Sequence, residues 1–173
     1  MLTYSMTDHD MRNCNPDAGL IMYTALNNCR DIMEYFPAGK NKLIILYLLQ
    51  SKTSGHWTTM FRNSDGTFHF FDSYGLPEDA QLDYLSDAQR RELNEKSDRL
   101  AYLVRNMVVI HNPICYQSKY TETCGMFVTH RLHNRNMSEK TYYRIMREYC
   151  NRCQCSPDEV VARYVKSLHV SSI

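Results

Sequence analysis

The order of sequence patterns predicts an α+β fold, with a central mixed β-sheet flanked by helices. Residues 43–49 are apolar without alternation, which is typical of a strand buried on both faces. Two further strand-like segments lie on either side of Asp65-Gly66, a pair that favours a tight hairpin turn. Helical patterns precede these strands and account for most of the chain after them.

Size and composition predict one domain over residues 1–173. Hydrophobic residues make up 43% and charged residues 23% of the chain, as in ordinary globular proteins. The 20 Lys and Arg residues against 19 Asp and Glu leave a formal net charge of +1. This balance gives no overall field that would attract nucleic acid or anionic lipid, so such binding would need a local patch.

The N-terminal part predicts a helix followed by a strand. Asn15-Pro16-Asp17 is a typical helix start, and apolar residues recur at helical spacing over residues 20–33. Pro37 and Gly39 end this pattern, and a buried strand follows over residues 42–50.

A β-hairpin is predicted next, from strands over residues 57–62 and 67–72 that the segment 63–66 connects. Residues 73–77 then interrupt the sheet, and residues 78–105 are polar with helical spacing. Residues 107–111 predict one more strand. Three helices are expected after it, over residues 125–135, 138–152 and 156–168.

No membrane span or secretion signal is expected. The longest apolar run covers residues 43–49, whereas about 20 residues are needed to cross a bilayer. Asp8, His9 and Asp10 stand where a signal peptide would need an apolar core. The seven cysteines are an odd set at low density, which favours reduced thiols. We therefore expect an intracellular, non-secreted protein, and we take a monomer as the starting hypothesis.

Cys124 is the candidate nucleophile. It stands directly before Gly125 and a helical pattern, so its sulfur is expected at a helix N-terminus, where free N–H groups and the helix dipole favour a thiolate. Gln117 lies seven residues earlier. Its side-chain NH₂ and the backbone N–H of Cys124 can together form the paired donors that stabilise an oxyanion.

His56 and Asp72 are the candidate base and the carboxylate that orients it. They lie 16 residues apart, with His56 at the beginning of the first hairpin strand and Asp72 at the end of the second. Pairing about Asp65-Gly66 would bring these two ends side by side. Singly, a Cys before a helix or a His beside Trp is more often structural. The ordered set of four residues carries the prediction.

The same set carries a resemblance to a known superfamily. Residues 55–57, 70–75, 117–118 and 123–127 resemble the His, Asp/Glu, Gln and Cys series of the adenovirus-protease-like cysteine peptidases. The SUMO and ubiquitin-like-protein proteases belong to this superfamily. The matching part runs from about residue 42 to residue 133, roughly half of the chain.

This resemblance implies a cysteine peptidase fold of the adenovirus protease type and a thiol protease activity. Cys124 would attack the peptide carbonyl, His56 would transfer the proton, Asp72 would orient His56, and Gln117 would hold the oxyanion. The resemblance also implies that Trp57 closes over a narrow substrate channel that fits Gly-Gly. The alternative for Trp57 is a packed core aromatic.

We place Gly55 and Gly125 beside the substrate together with Trp57. Cleavage after small residues, such as Gly-Gly, is the expected specificity. The spacing of Gln117 and Cys124 resembles that of the adenovirus maturation protease, whereas Asp72 follows the cellular pattern. The resemblance therefore implies a maturation protease of the virophage or large-DNA-virus type, which processes capsid or structural proteins in the infected cell or virion.

Two other functions remain open from the sequence. One is a deubiquitinase or SUMO-type isopeptidase that acts on host conjugates. The other is a catalytically inactive module that binds ubiquitin-like proteins. No metal or organic cofactor is expected, but adenoviral relatives are stimulated by DNA and a small viral peptide, so activation of that kind is a further expectation.

Two C-terminal features allow alternatives. The segment Arg131–Arg152 holds six Lys or Arg against two Glu, which suits either a weak nucleic-acid contact or a solvated helix face. Cys150, Cys153 and Cys155, with His169 further on, suggest either zinc or free thiols. The spacing is not that of two separated ligand pairs, which favours free thiols.

Overall fold

A five-stranded mixed sheet forms the centre of the protein, as the sequence predicts. The computed structural model describes residues 4–51, 54–96 and 98–170. Strands lie in the order β1-β2-β3-β4-β5, with the two outer pairs parallel and the two inner pairs antiparallel. Their bounds are β1 Gly19–Met22, β2 Lys42–Ser51, β3 Ser54–Arg62, β4 Phe68–Phe71 and β5 Val109–His111.

Helices flank this sheet and complete the α+β class. The α-helices of the described residues are α1 Asp8–Cys14, α2 Asp87–Leu93, α3 Arg99–Val104, α4 Cys124–His133, α5 Glu139–Cys153 and α6 Pro157–Val170. Short 3₁₀ helices occur at Tyr23–Asn28, Ile32–Tyr35 and Ala80–Tyr84. Among the described helices, none combines the length and the apolar character needed to span a membrane.

The helix predicted over residues 20–33 is wrong. The chain instead forms β1, which pairs in parallel with β2 from Gly19 opposite Leu43 onward, and then two 3₁₀ helices. A Cβ at Gly19 would lie 2.3 Å from the carbonyl oxygen of Tyr35, so the chain folds back closely on this position. Tertiary pairing with β2 overrides the local helical spacing here.

The predicted hairpin is confirmed. Gly66 adopts a φ of +91°, which favours glycine, and the Asn63 N–H donates to the Thr67 carbonyl at 3.0 Å. However, β3 begins at Ser54, earlier than predicted, so His56 lies inside the strand opposite Tyr47. The position of His56 is therefore fixed by the pairing of β3 with β2.

Helix α4 is the central helix of the fold. Eight of its ten residues are buried, and it packs against β3 and α6. Arg131 on this helix is fully buried, with its guanidinium between the rings of Phe61 and Tyr142 and 2.8 Å from a Glu139 oxygen. The predicted nucleic-acid contact is therefore wrong for Arg131, and for the rest of the segment to Arg152 it stays a prediction.

Glu95 anchors the β2 strand close to the site. It is 4% exposed, its Oε1 accepts a hydrogen bond from the Leu48 N–H at 2.8 Å, and its Oε2 has no partner in the described structure. Burial raises the pKa of this carboxyl to about 7, although the Leu48 N–H and Arg90 act in the opposite direction. Leu48 pairs with Gly55, so Glu95 supports the strand beside His56.

We predict that Glu95→Gln makes the fold more stable than the wild type above neutral pH. A carboxyl whose pKa is raised on folding stabilises the fold below its ordinary pKa, and this contribution is lost as the pH rises through about 7. A shift of this size corresponds to about 3 kcal/mol. Gln keeps the acceptor for Leu48 but does not titrate, so the difference in unfolding free energy between variant and wild type should grow from pH 5 to pH 8 in urea titrations.

The matched control is Glu92→Gln, which changes an exposed glutamate in α2, three residues before Glu95. It should leave the pH dependence of the unfolding free energy as in the wild type. If the stability difference between Glu95→Gln and the wild type is the same at pH 5 and pH 8, the raised pKa of Glu95 is contradicted.

Candidate active site

The structure brings Cys124, His56 and Asp72 together. Cys124 is the first residue of α4, and its sulfur lies near enough to His56 for each group to shift the pKa of the other. The His56 Nε2 lies 3.2 Å from the Asp72 Oδ1. All three residues are buried. A sulfur from α4, an imidazole from β3 and a carboxylate that follows β4 thus lie beside one another.

Hairpin register explains how His56 meets its neighbours. The last paired residues are Thr59 and Phe71, so continuing this register places His56 opposite Tyr74. The Tyr74 ring indeed stacks on the imidazole, with centroids 5.0 Å apart. Asp72 lies diagonally across from His56 on the same face, and its carboxylate reaches the imidazole from there.

The carboxylate of Asp72 accepts two further hydrogen bonds, and its backbone carbonyl accepts another. Its Oδ1 accepts from the Tyr74 N–H and its Oδ2 from the Gln81 side chain, both at 2.7 Å. The Asn112 side chain donates to the Asp72 carbonyl, also at 2.7 Å. The sequence analysis missed Tyr74, Gln81 and Asn112 as partners of the site. Only the adjacency of Tyr74 to Asp72 could have indicated one of them.

The electrostatics of the site favour an ion pair. Burial acts to raise the pKa of the Cys124 thiol, but hydrogen bonding to His56, the charge of His56 and backbone N–H groups of Trp57 and Gly125 lower it overall. Burial acts to lower the pKa of His56, but the charge and hydrogen bond of Asp72 raise it above its usual value. Thiolate and imidazolium therefore stabilise each other.

Gln117 is fixed with its amide nitrogen available. The Ser73 hydroxyl donates to the Gln117 Oε1 at 2.6 Å, and the Gln117 Nε2 donates to the Thr121 carbonyl at 2.9 Å. These partners define which end of the amide is NH₂. Since an NH₂ group has two hydrogens, one N–H remains for a ligand in the cleft that Gln117 lines with Cys124.

This cleft has a volume of about 440 Å³. Three of the four residues predicted for catalysis line it, namely His56, Gln117 and Cys124, whereas Asp72 lies buried behind them. It is also lined by Gly55, Tyr74 and the loop of residues 119–122. The arrangement offers a nucleophile, a base and an N–H donor to one ligand.

Close packing explains the two glycines placed beside the substrate. A Cβ at Gly55 would lie 1.8 Å from the Tyr47 carbonyl oxygen, so β2 and β3 could not pair there with any side chain. A Cβ at Gly125 would lie 2.9 Å from the Met6 Cβ and 3.2 Å from the Trp57 ring. Gly55 lines the cleft, whereas Gly125 allows α4 to approach its neighbours.

Trp57 is a packed core aromatic, which was one of the two roles considered for it. Its side chain is 3% exposed, and its Nε1–H donates to the Met6 carbonyl at 3.0 Å. It lines a neighbouring cavity of about 480 Å³, which shares Ser54 and Gly55 with the cleft of Cys124. A role for Trp57 in closing a substrate channel stays a prediction.

The C-terminal thiols show no metal-binding arrangement. Within the described residues, no group of three His, Cys, Asp or Glu side chains is placed to hold a metal ion. Cys150, Cys153 and Cys155 are free thiols, and the side chain of His169 lies outside the described residues. The zinc alternative gains no support from these positions.

Comparison with known proteins finds similarity to a viral protein and to a bacterial protein. The chain is 26% identical over 121 residues, 68% of its length, to the uncharacterized protein V9 of Sputnik virophage, of which this match covers 69%. It aligns over 95% of its length with 97% of the central domain of the uncharacterized Lpg1148 protein from Legionella pneumophila, with 16% identity and a TM-score of 0.44. No family model matches the sequence. The first similarity links the chain to a viral protein.

We predict that Cys124 reacts with iodoacetamide at lower pH than an ordinary thiol. Because the thiol pKa is lowered, the reactive thiolate persists until the pH falls through that lowered value, below the ordinary value of about 8.5. His56→Ala should move the pH midpoint of this reaction upward, because burial then raises the pKa of the Cys124 thiol with no imidazole to lower it. Mass spectrometry of the Cys124 peptide over a pH series measures this.

The exposed thiol of Cys153 in the same samples serves as the internal reference for the reagent. Identical midpoints for Cys124 in the wild type and in His56→Ala would rule out the ion pair.

Proposed function

We propose that this protein is a cysteine endopeptidase with a Cys124-His56-Asp72 triad and Gln117 as oxyanion donor. The observation that carries the proposal is the convergence of these four side chains, with the sulfur at the N-terminus of a buried helix. Thiol peptide hydrolysis requires a nucleophile, a base, a group that orients the base and an oxyanion donor, and the presence of a candidate for each supports the proposal.

The reaction would begin from the thiolate and imidazolium. The Cys124 sulfur attacks a peptide carbonyl, and the oxygen that becomes negative accepts hydrogen bonds from the Gln117 amide and the Cys124 backbone N–H. This N–H is one of the first four of α4, which have no partner inside the helix. His56 then protonates the leaving amine, and a thioester forms. Water, deprotonated by His56, attacks the thioester carbonyl; the C–S bond then breaks, which releases the acid product and restores the thiolate and the imidazolium.

Asp72 keeps the imidazole in one orientation through this cycle. Its contacts with Tyr74 and Gln81 hold the carboxylate, and the stacked Tyr74 ring limits rotation of His56. The nitrogen opposite Nε2 is thereby directed to the sulfur. We assign Asp72 the orienting role, with no proton transfer of its own.

The proposed substrates are viral capsid or structural proteins cut after small residues. The Gly55 backbone lines the cleft of Cys124, and the buried Trp57 ring lines the adjoining cavity, which shares Gly55 with the cleft. Rigid walls of this kind support a preference for residues without bulky side chains, such as Gly-Gly. The similarity to a virophage protein supports a viral source, in keeping with a maturation protease.

We predict that Cys124→Ala abolishes cleavage and that Gln117→Ala retains a slow reaction. Loss of the nucleophile removes the covalent step, whereas loss of one oxyanion donor typically lowers the rate about 100- to 1000-fold. The measurement is cleavage of a proteome-derived peptide library, followed by mass spectrometry of the new termini. These termini should place small residues just before the cut.

Cys153→Ala is the matched control, since it removes an exposed thiol outside the cleft and should cleave as the wild type does. Equal cleavage by the wild type and Cys124→Ala would refute the proposal. Labelling of Cys124 by a ubiquitin or SUMO vinyl-sulfone probe would instead favour an isopeptidase, and an unlabelled, inactive wild type would favour a binding module.

A further inference from the structure

Asp158, near the start of α6, is tied to the loop that joins Gln117 to Cys124. The Thr121 hydroxyl donates to its Oδ1 at 2.6 Å, and the Ser118 N–H donates to its Oδ2 at 3.1 Å. The Thr123 hydroxyl donates to the same Oδ1. The residue is 3% exposed, so these three donors rather than water satisfy the carboxylate.

The same loop residues contact the oxyanion donor and the nucleophile. The Thr121 carbonyl accepts the hydrogen bond from the Gln117 Nε2, and Thr123 directly precedes Cys124 at the beginning of α4. Hydrogen bonds to a carboxylate are stronger than those between neutral groups. Asp158 therefore holds both ends of the loop whose shape sets the distance between Gln117 and Cys124.

A carboxylate matches this set of donors at both of its oxygens. An Asp side chain accepts at both oxygens, whereas Asn would turn an NH₂ group toward one of the donors. The charge also lies in the first turn of α6, where the helix dipole stabilises it. A neutral or donating side chain would release the loop at one end.

We propose that Asp158 is a positioning residue for the oxyanion donor Gln117, acting through Thr121 and Thr123. This inference rests on the proposed peptidase function and assigns a part of the C-terminal helix to it. Asp158 does not line the cleft, so it acts on the reaction only through the loop.

Asp158→Asn should therefore lower kcat about 10- to 100-fold with less than a twofold change in KM, because oxyanion stabilisation operates in the transition state. The reactivity of Cys124 toward iodoacetamide should stay as in the wild type. Binding of the peptide aldehyde acetyl-Gly-Gly-glycinal should weaken by a similar factor. In that complex the sulfur bonds to the aldehyde carbon and the thiol proton passes to the oxygen, with no leaving group.

Three comparisons make the test specific. Thr121→Val should reproduce part of the loss, and Thr121→Ser, which keeps the hydroxyl, should restore activity. Asp87→Asn makes the same change in the first turn of α2, where the side chain is exposed, and should behave as the wild type. In the Gln117→Ala background, Asp158→Asn should add less than a threefold loss.

Two results overturn the inference. One is an equal fold loss from Asp158→Asn with and without Gln117. The other is wild-type kcat and aldehyde binding in Asp158→Asn. A wild type that cleaves no peptide refutes the proposed function itself, and the aldehyde measurement, which needs no turnover, then decides whether Asp158 still positions Gln117.

A separate observation concerns the end of α5. Gln154 adopts a left-handed φ of 49°, and the N–H groups of Gln154 and Cys155 both donate to the Cys150 carbonyl. The bond from Cys155 to Cys150 is the 6→1 hydrogen bond of a Schellman motif, in which the side chains at these two positions frequently contact each other. The two thiols are near neighbours here, since burial and then the Cys155 thiol raise the pKa of the Cys150 thiol. Both thiols are partly exposed, so a small oxidant can reach them.

We propose that Cys150 and Cys155 form a disulfide on mild oxidation by a glutathione-type disulfide. One thiolate attacks the glutathione disulfide and releases one glutathione thiol. The second then attacks the mixed disulfide, releases another, and forms the S–S bond. Two thiol protons and two electrons pass to the two glutathione molecules, so the exchange balances.

The native protein is incubated with oxidised glutathione and digested with trypsin without reduction. Since cleavage after Arg152 separates Cys150 from Cys155, the expected product is a linked peptide pair that dithiothreitol separates. The link should survive in Cys153→Ser and disappear in Cys155→Ser. A link from Cys150 to Cys153, or no link at all, would overturn the assignment.

Discussion

The close packing of α4 against β3 is the constraint on which the site depends. The helix can approach the strand because Gly125 has no side chain, and any Cβ there would meet Met6 and the Trp57 ring. Most of α4 is buried, so its N-terminus cannot shift without opening the core. The sulfur of Cys124 is thus held beside His56 by the packing of the whole helix, and the distance between these two groups follows from the fold.

A buried ion pair needs compensation, and the surroundings of Asp72 provide it. The carboxylate is fully buried, yet each oxygen accepts at least one hydrogen bond, from Tyr74, Gln81 and the His56 ring. Its charge then favours the imidazolium, which in turn favours the thiolate. A second buried pair, Arg131 with Glu139, is ion-paired but less completely satisfied, because the Arg131 Nε and the Glu139 Oε2 have no hydrogen-bond partner in the described structure. Neither residue lines the cleft that contains Cys124. A buried ion pair therefore does not mark a site by itself, and access to a ligand separates the two pairs.

The C-terminal helices contribute to the site without lining it. Through Asp158, α6 contacts the loop between Gln117 and Cys124, while α4 and α6 pack against each other. The Gln117 side chain, the proposed oxyanion donor, is therefore supported from two sides, by Ser73 after β4 and by the loop that α6 holds. Such support fixes a donor before the substrate arrives, which is the condition under which hydrogen bonds lower a reaction barrier most.

Local physical rules were sufficient for much of this protein. The Asp65-Gly66 turn, the apolar strand β2 and the start of α4 at Cys124 each depend on neighbouring residues, and the sequence alone predicted them together with the four candidate catalytic residues. Only the tertiary structure decided that residues 19–22 form a strand, because their partner β2 lies more than 20 residues away. It also decided the burial of Arg131 and the contacts of Gln81 and Asp158, since hydrogen bonds between distant segments leave no periodic pattern in a single chain.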